Sequence, residues 1–218
     1  MAVENMTLAQ FYSANRNPYN YAKIEQIGRD VVTPWLTPEE CTQQLNLFND
    51  ESQDPYISSI EIATRMIIED YLGMAIFATQ YRVYYANMGV YNTQIYLDLP
   101  EVSQGAAGVT INSVSYYTSN SNTVPVALAS SEYSYDPTGN RVILNSIPNN
   151  LNQFVANPVV VEYTQNANTI ATYPVLKQAG LMLLTHIYNN RSNTTETKLN
   201  EIPFGVATLL RPYKPLVM

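Results

Sequence analysis

The spacing of apolar residues changes period twice along this chain of 218 residues, and nothing else in it constrains the fold as much. From Thr37 to about residue 75 the spacing is helical. From Ile76 to Tyr163 it alternates in short β segments, and from Pro174 it is helical again. A helix brings residues three and four apart onto one face, whereas a strand alternates faces, so a stretch with one period does not serve as the other. The chain therefore reads as α+β: a small helical bundle with an inserted antiparallel β-sheet or barrel-like block, followed by a C-terminal helix and tail. The expected division is an N-terminal arm over 1–33, a helical core over 34–75 and 172–218 that includes a C-terminal docking tail, and an inserted β block over 76–171.

Local signals set the expected boundaries. Thr37-Pro38-Glu39-Glu40 is a helix start: a capping hydroxyl, a proline at the first helical position and two acids at the positive end of the dipole. That helix is expected to reach about Phe48, with Cys41, Leu45 and Phe48 on one face. A second start follows at Asp54-Pro55. Ile57, Ile60, Ala63, Ile67 and Tyr71 would form its apolar face, Ser58, Glu61, Arg65 and Glu69 a solvated one, and Gly73 its stop. About six strands are expected in QYRVYYA, QIYLDLP, VTINSVSYYT, SEYSYDP, NRVILN and VVVEYT, with a hairpin turn at Asp136–Asn140. The helix opening at Pro174 is apolar nearly all round from Ala179 to Tyr188, so it is expected to be buried on most sides. A polar loop over 192–200 then leads to a short helix with Phe204, Val206, Leu209 and Leu210 apolar, ended by Pro212 and Pro215.

Composition narrows the function classes. Only 13% of residues are charged, and Asn, Gln, Ser, Thr and 18 Tyr cover the surface instead. Tyrosine pairs an apolar body with a polar tip and is favoured at interfaces, so the chain leans toward extensive contact with other chains. The net charge of −7 and 11 scattered basic residues do not form the basic stripe of a nucleic-acid binder. DNA could slide past such a surface without sticking. One cysteine, Cys41, precludes an internal disulfide. The first residues lack the basic and apolar regions of a signal peptide, and no apolar run is long enough to span a membrane, which implies a protein made and kept in a cytoplasm or a particle assembled there.

No catalytic or metal constellation emerges, so the chain does not read as an enzyme and no cofactor is implied. His186 is the only histidine and lies in the most apolar helix, which favours a core role. One His and one Cys cannot build a His/Cys metal site. Asp50, Glu51 and Asp54 precede a helix but lack the spacing of a Ca²⁺ loop, and capping accounts for them. Glu61, Glu69 and Asp70 could form an acid pair, although a solvated face with Glu61 and Arg65 paired one turn apart is simpler.

Four stretches in fixed order give the chain a specific likeness. They are Val32-Thr33-Pro34-Trp35-Leu36-Thr37-Pro38-Glu39-Glu40; Gln53-Asp54-Pro55-Tyr56-Ile57 through Ala63-Thr64-Arg65 to Ile68-Glu69-Asp70-Tyr71-Leu72-Gly73; the β block with Leu97-Asp98-Leu99-Pro100, Ile111–Tyr117, Tyr133 and Val159–Thr164; and Pro174–Ala179 with His186–Arg191, then Pro203–Val206 and Leu209–Tyr213. Together, over residues 31–214, they resemble the head–tail connector (adaptor) proteins of tailed bacteriophages. The arm over 1–30 is longer than that family's pattern. The resemblance implies a structural virion protein of the neck. It would form a homo-oligomeric ring of twelve beneath the portal protein, extend the DNA exit channel without binding DNA specifically, and dock a downstream neck, tail-terminator or stopper protein, with no membrane involved. It also places the C-terminal helix and tail against the portal, which singles out Phe204, Leu209, Leu210, Arg211, Tyr213, Leu216, Val217 and Met218. The alternatives are another neck, tail-completion or baseplate structural protein, and a glycan-binding β module using Tyr81, Tyr84 and Tyr85.

Overall fold

The computed structural model describes residues 21–48, 50–86, 95–100, 102, 108–146, 148–152, 154–191 and 204–214. The chain divides into two compact units. A β unit draws on the segments up to Gly28, from Thr79 to Val102 and from Gly108 to Gln165, and a helical unit on Arg29–Ala78 and the chain from Asn166. The fold is mixed α+β, as the two changes of period predict.

Among its described residues the β unit holds eight strands: β1 (Tyr21–Arg29, whose last residue belongs to the helical unit), β2 (Thr79–Tyr85), β3 (Ile95–Asp98), β4 (Val109–Tyr116), β5 (Val126–Ala127), β6 (Tyr133–Asp136), β7 (Arg141–Leu144) and β8 (Val159–Gln165). Five make one sheet in the order β1-β2-β8-β4-β5, and three make another in the order β3-β7-β6. The six expected strands are all present, and β6 and β7 form the expected hairpin, with Asp136 opposite Arg141. Its turn is closed by Asn140 in the left-handed region (φ 48°) and by Asp136, whose carboxylate accepts from the Thr138 N–H at 2.9 Å.

Strand β8 is central, antiparallel to β2 on one side and β4 on the other. Its register places Val161 opposite Val83 and Tyr163 opposite Tyr81, so the alternating apolar positions share one face. That face packs with Tyr85, Val114, Leu97, Val142 and Leu144 into one core. At Asn112 the β4–β8 register slips by one residue. The bulged Asn112 turns its amide toward Thr164 Oγ1 at 2.9 Å, which satisfies a side chain that has no place in the ladder.

Two points differ from expectation. The β block is not barrel-like: both sheets are open, with β1 and β5 the outer strands of one and β3 and β6 those of the other. Closure requires every edge to find a partner, and strands of two to four residues are too short to carry the tilt and stagger of a barrel. Further, Tyr21–Arg29, read as part of an arm, is a sheet strand.

The helical unit contains α1 (Pro38–Leu45), α2 (Asp54–Leu72), α3 (Pro174–Asn189) and α4 (Phe204–Leu210). Helix α1 starts as expected. The Thr37 hydroxyl accepts from the Glu40 N–H at 3.2 Å and Glu40 accepts from the Thr37 N–H at 2.9 Å, a reciprocal cap. It stops before Phe48, because Asn46 enters the left-handed region (φ 56°), and Phe48 is left exposed. Gly73 ends α2 at φ 67°, a conformation that suits glycine. Helix α3 packs against α1, α2 and α4. Trp35 lies against Gly180 of α3, where a Cβ would fall 2.7 Å from the indole ring, and its Nε1–H donates to the Ala171 carbonyl at 2.9 Å. Only one side of α3 is fully buried, through Leu176, Ala179, Gly180, Leu183 and Leu184; Leu181, Met182, His186, Ile187 and Tyr188 are half-buried.

The inward face of α2 is not the one expected. Its buried stripe is Ile57, Ile60, Glu61, Thr64, Arg65, Ile68, Glu69 and Leu72, while Ala63 is exposed and Ile67 and Tyr71 are half-buried. The three charges read as solvated therefore lie inside, and they hold backbone rather than one another. Glu61 accepts from the Trp35 and Leu36 N–H groups at 2.9 and 3.1 Å. Arg65 donates to the carbonyls of Thr33, at 2.8 Å, and Asp30, and stacks on Phe77 at 4.7 Å. Glu69 accepts from the Ile76 N–H at 2.7 Å and pairs with Arg29. Buried charges need such partners to offset their lost hydration. The stripe thereby fixes the chain at 30–36 and 76–77, beside the points where it enters and leaves the helical unit.

Candidate assembly surface

The segment expected to dock follows α3. Arg191, just past that helix, lies over the rings of Tyr56 and Tyr188 at 4.4 and 4.6 Å and donates to Gln53 at 3.1 Å, which pins the helix end. When the chain is next described, in α4, Val206 and Leu210 face inward and are completely buried. Leu209 is half-buried against the same core. Tyr213 packs edge-on against Tyr173 at 5.8 Å, and the Lys214 ammonium sits 4.9 Å from the ring centre of Tyr71. Arg211 is exposed.

The expected docking residues are therefore split. Leu210 belongs to the core, and Leu209 and Tyr213 lean on it. Arg211 is available to a partner, whereas the side chain of Phe204 and the residues Leu216, Val217 and Met218 lie outside the described residues. Tyr173, 41% exposed, and Val175, 38% exposed, at the start of α3, extend the accessible apolar surface beside Tyr213. Sequence reasoning missed them because a Tyr-Pro-Val helix start reads as punctuation. Tyr and Arg together are the side chains most often found at the centre of interfaces.

In the β unit, one face of the sheet carries a polar ladder. Glu25 of β1 accepts from the Tyr84 hydroxyl at 2.9 Å and pairs with Lys23 at 2.5 Å. Arg82 of β2 pairs with Glu162 of β8 at 2.7 Å. Hydrogen bonds from Lys23 and Tyr84 hold the Glu25 carboxyl below its usual range, and the Glu162 bond raises Arg82. These charges are consumed within the sheet. Of the tyrosines considered for glycan stacking, Tyr81 packs on Tyr163 at 5.6 Å and Tyr85 is buried, its hydroxyl donating to the Asp98 carbonyl at 2.7 Å. Only Tyr84 of the three is within a sugar's reach.

Groups that could do chemistry are not brought together. Cys41 is buried, and desolvation, then Glu61 and Glu40, push its thiol up to about 12. His186 is half-buried, with its Nδ1 3.4 Å from the Asn190 amide. Asp50 caps the turn before α2, accepting from the Ser52 N–H at 3.0 Å. Among the described residues no group of three His, Cys, Asp or Glu is placed to hold a metal, and no helix is long and apolar enough to cross a membrane.

No family model matches the sequence, and no curated protein matches it either. Solved structures do. A chain in the neck of an empty GTA particle, computed with C6 symmetry, aligns with a TM-score of 0.58 at 18% identity, covering 90% of this chain and 97% of that one. A chain in the virion of a native gene transfer agent (GTA) particle aligns with a TM-score of 0.53 at 18% identity over the same shares. The fold is shared. At this identity the likeness extends to the path of the chain, and it covers nearly the whole of both molecules.

Proposed function

We propose that this chain is a structural subunit of the neck of a phage-like particle: a head–tail connector that forms a ring under the portal, continues the DNA channel and offers a docking face to the next neck or tail protein. The observation that carries the reading is the fold shared, over 90% of this chain and 97% of the other, with a chain of a gene transfer agent neck. The order of sequence segments points the same way without reference to the structure. The charge-poor, acidic, Tyr-rich composition fits a subunit that meets copies of itself and lets DNA pass unbound. A ring of twelve, to match the portal, is part of the proposal, as are the virion neck as its location and assembly in the host cytoplasm.

The portal-facing surface is proposed to be Arg211 with Tyr213 and Tyr173, continued by Leu216, Val217 and Met218. A deletion from residue 203 would remove Val206 and Leu210 from the core and unfold the chain, so it tests nothing. The informative variants are Arg211→Glu and a chain ending at Lys214. Light scattering of the wild-type chain mixed with the portal ring of the same particle should show a complex heavier by a whole ring of subunits. Both variants should lose that complex while keeping the wild-type unfolding midpoint. Failure of the wild-type chain to associate would exclude the connector role. Full binding by both variants would move the docking face elsewhere.

A further inference from the structure

The backbone around Asn152 in the β unit is held more firmly than its surface position requires. Asn152 is 1% exposed. Its amide donates to the Thr118 and Ser121 carbonyls at 3.0 and 3.4 Å and to Asn122, and its carbonyl oxygen accepts from the Phe154 N–H at 2.9 Å. Backbone bonds from Asn152 to Tyr117 and from Ser119 to Asn150, both 2.8 Å, complete a clasp between two loops. What the clasp displays is apolar: Phe154 is 94% exposed, and the clasped partner segment continues to Val124, 65% exposed, and Val126, 47% exposed. A single exposed aromatic on a slack loop would be unremarkable. Here a buried side chain with four hydrogen bonds holds the backbone that presents it, so little conformational freedom is left to lose on contact.

The surroundings select the occupant. Residues 117–131 and 142–161 contain no Asp, Glu, Lys or Arg, in a chain with 18 acidic and 11 basic residues. A basic partner or a phosphate backbone would find nothing here to pair with. An identical chain also carries a net charge of −7, which opposes close approach, and this charge-free stretch adds no local repulsion of its own. Strand β5 is also an outer strand with no charge to guard it. Pro125 removes one N–H there, which favours packing of side chains over addition of a strand. We infer that Phe154, with Val124 and Val126, is a contact between neighbouring copies of this chain, seated on a different surface of the next copy. A ring closes through such a head-to-tail contact, and in this respect the inference rests on the connector reading.

The test places the photo-cross-linker p-benzoylphenylalanine at position 154 of the full chain, and at the exposed hairpin residue Thr138 as a control. Equal parts of ¹⁵N-labelled and unlabelled chain are irradiated, both concentrated alone and after capture on the portal ring, and the products are mapped by mass spectrometry. Mixed-isotope cross-links from position 154, absent from position 138, are expected in at least one sample. Phe154→Ser should weaken association between copies about tenfold without changing the unfolding midpoint. Cross-links from 154 only to its own chain or to the portal protein, or none in either sample, would overturn the inference. Capture on the portal without cross-links between copies would leave the connector reading standing and remove this contact. Cross-links between copies with no portal binding would do the reverse.

Discussion

Arg65 has no exposed surface, and the carbonyls of Thr33 and Asp30 depend on it for their hydrogen bonds. Hydrogen bonds made by a charged group contribute about 1.5–3 kcal/mol each, so Arg65→Ala, which removes a wholly buried guanidinium and both of these bonds, should lose about 2–5 kcal/mol in urea unfolding followed by the fluorescence of Trp35, the only tryptophan. A loss below about 1 kcal/mol would mean that water replaces the guanidinium and that the segment is not held by it. Cys41 provides a second check at this scale. With its thiol pushed up to about 12, it should resist a disulfide reagent at pH 8 in the folded chain and react promptly once urea has unfolded it. Equal rates in the two states would show that α1 opens freely. The sequence shows Glu61, Arg65 and Glu69 one turn apart, hence on one face, but not that this face is inside. The groups that satisfy them belong to residues 29–36 and 76–77, and long-range backbone partners leave no mark on helical spacing.

Among the elements, α1 joins a local signal to a distant one. Its Thr37–Glu40 cap was legible in sequence, whereas the Lys177 ammonium that reaches Glu40 at 2.8 Å from α3 was not. The hydrogen bond from Lys177, then that from the Thr37 backbone, holds the Glu40 carboxyl below its ordinary 4.5. A carboxyl whose folded value is depressed stabilises the fold above its unfolded value, and that stabilisation is lost as the pH falls through the folded value. Stability should therefore hold from neutral pH down to the ordinary carboxylate range and then decline. In Glu40→Gln the decline should be shallower, by an amount that denaturant midpoints measured across that range would reveal. An identical acid profile in the variant would assign the pH dependence to Asp30 and the other capping acids. Helix ends with a glycine or a capping box could be read directly, as at Thr37 and Gly73. The end at Asn46 could not, because asparagine adopts the left-handed conformation less often than glycine and is common elsewhere. Strand β1 was hidden for a different reason. Its charged residues Lys23 and Glu25 pair within the sheet and with Tyr84, so the alternation that marks a half-buried strand is interrupted.

For the molecule as a whole, net charge and assembly act against each other. In the proposed ring, every copy of this chain of charge −7 would lie within range of two like-charged neighbours. Contacts built from Tyr, Phe and Val gain little from charge, so the electrostatic contribution to ring closure is mainly repulsion, and screening should relieve it. From about 0.1 M to about 1 M salt the screening length falls from about 10 Å to about 3 Å. Self-association of this chain, measured by light scattering over that interval, should therefore strengthen with salt, and strengthen again as the pH is lowered from 7 toward the pI of 4.6. An interface held by ion pairs would weaken under the same change. Association that falls steadily with salt would point to ion pairs between copies, with exposed cations such as Arg211 and Lys214 the candidates, and the neutral patch around Phe154 would then lie outside the ring contact. The two outcomes separate an apolar ring contact from an ionic one without any knowledge of the ring number.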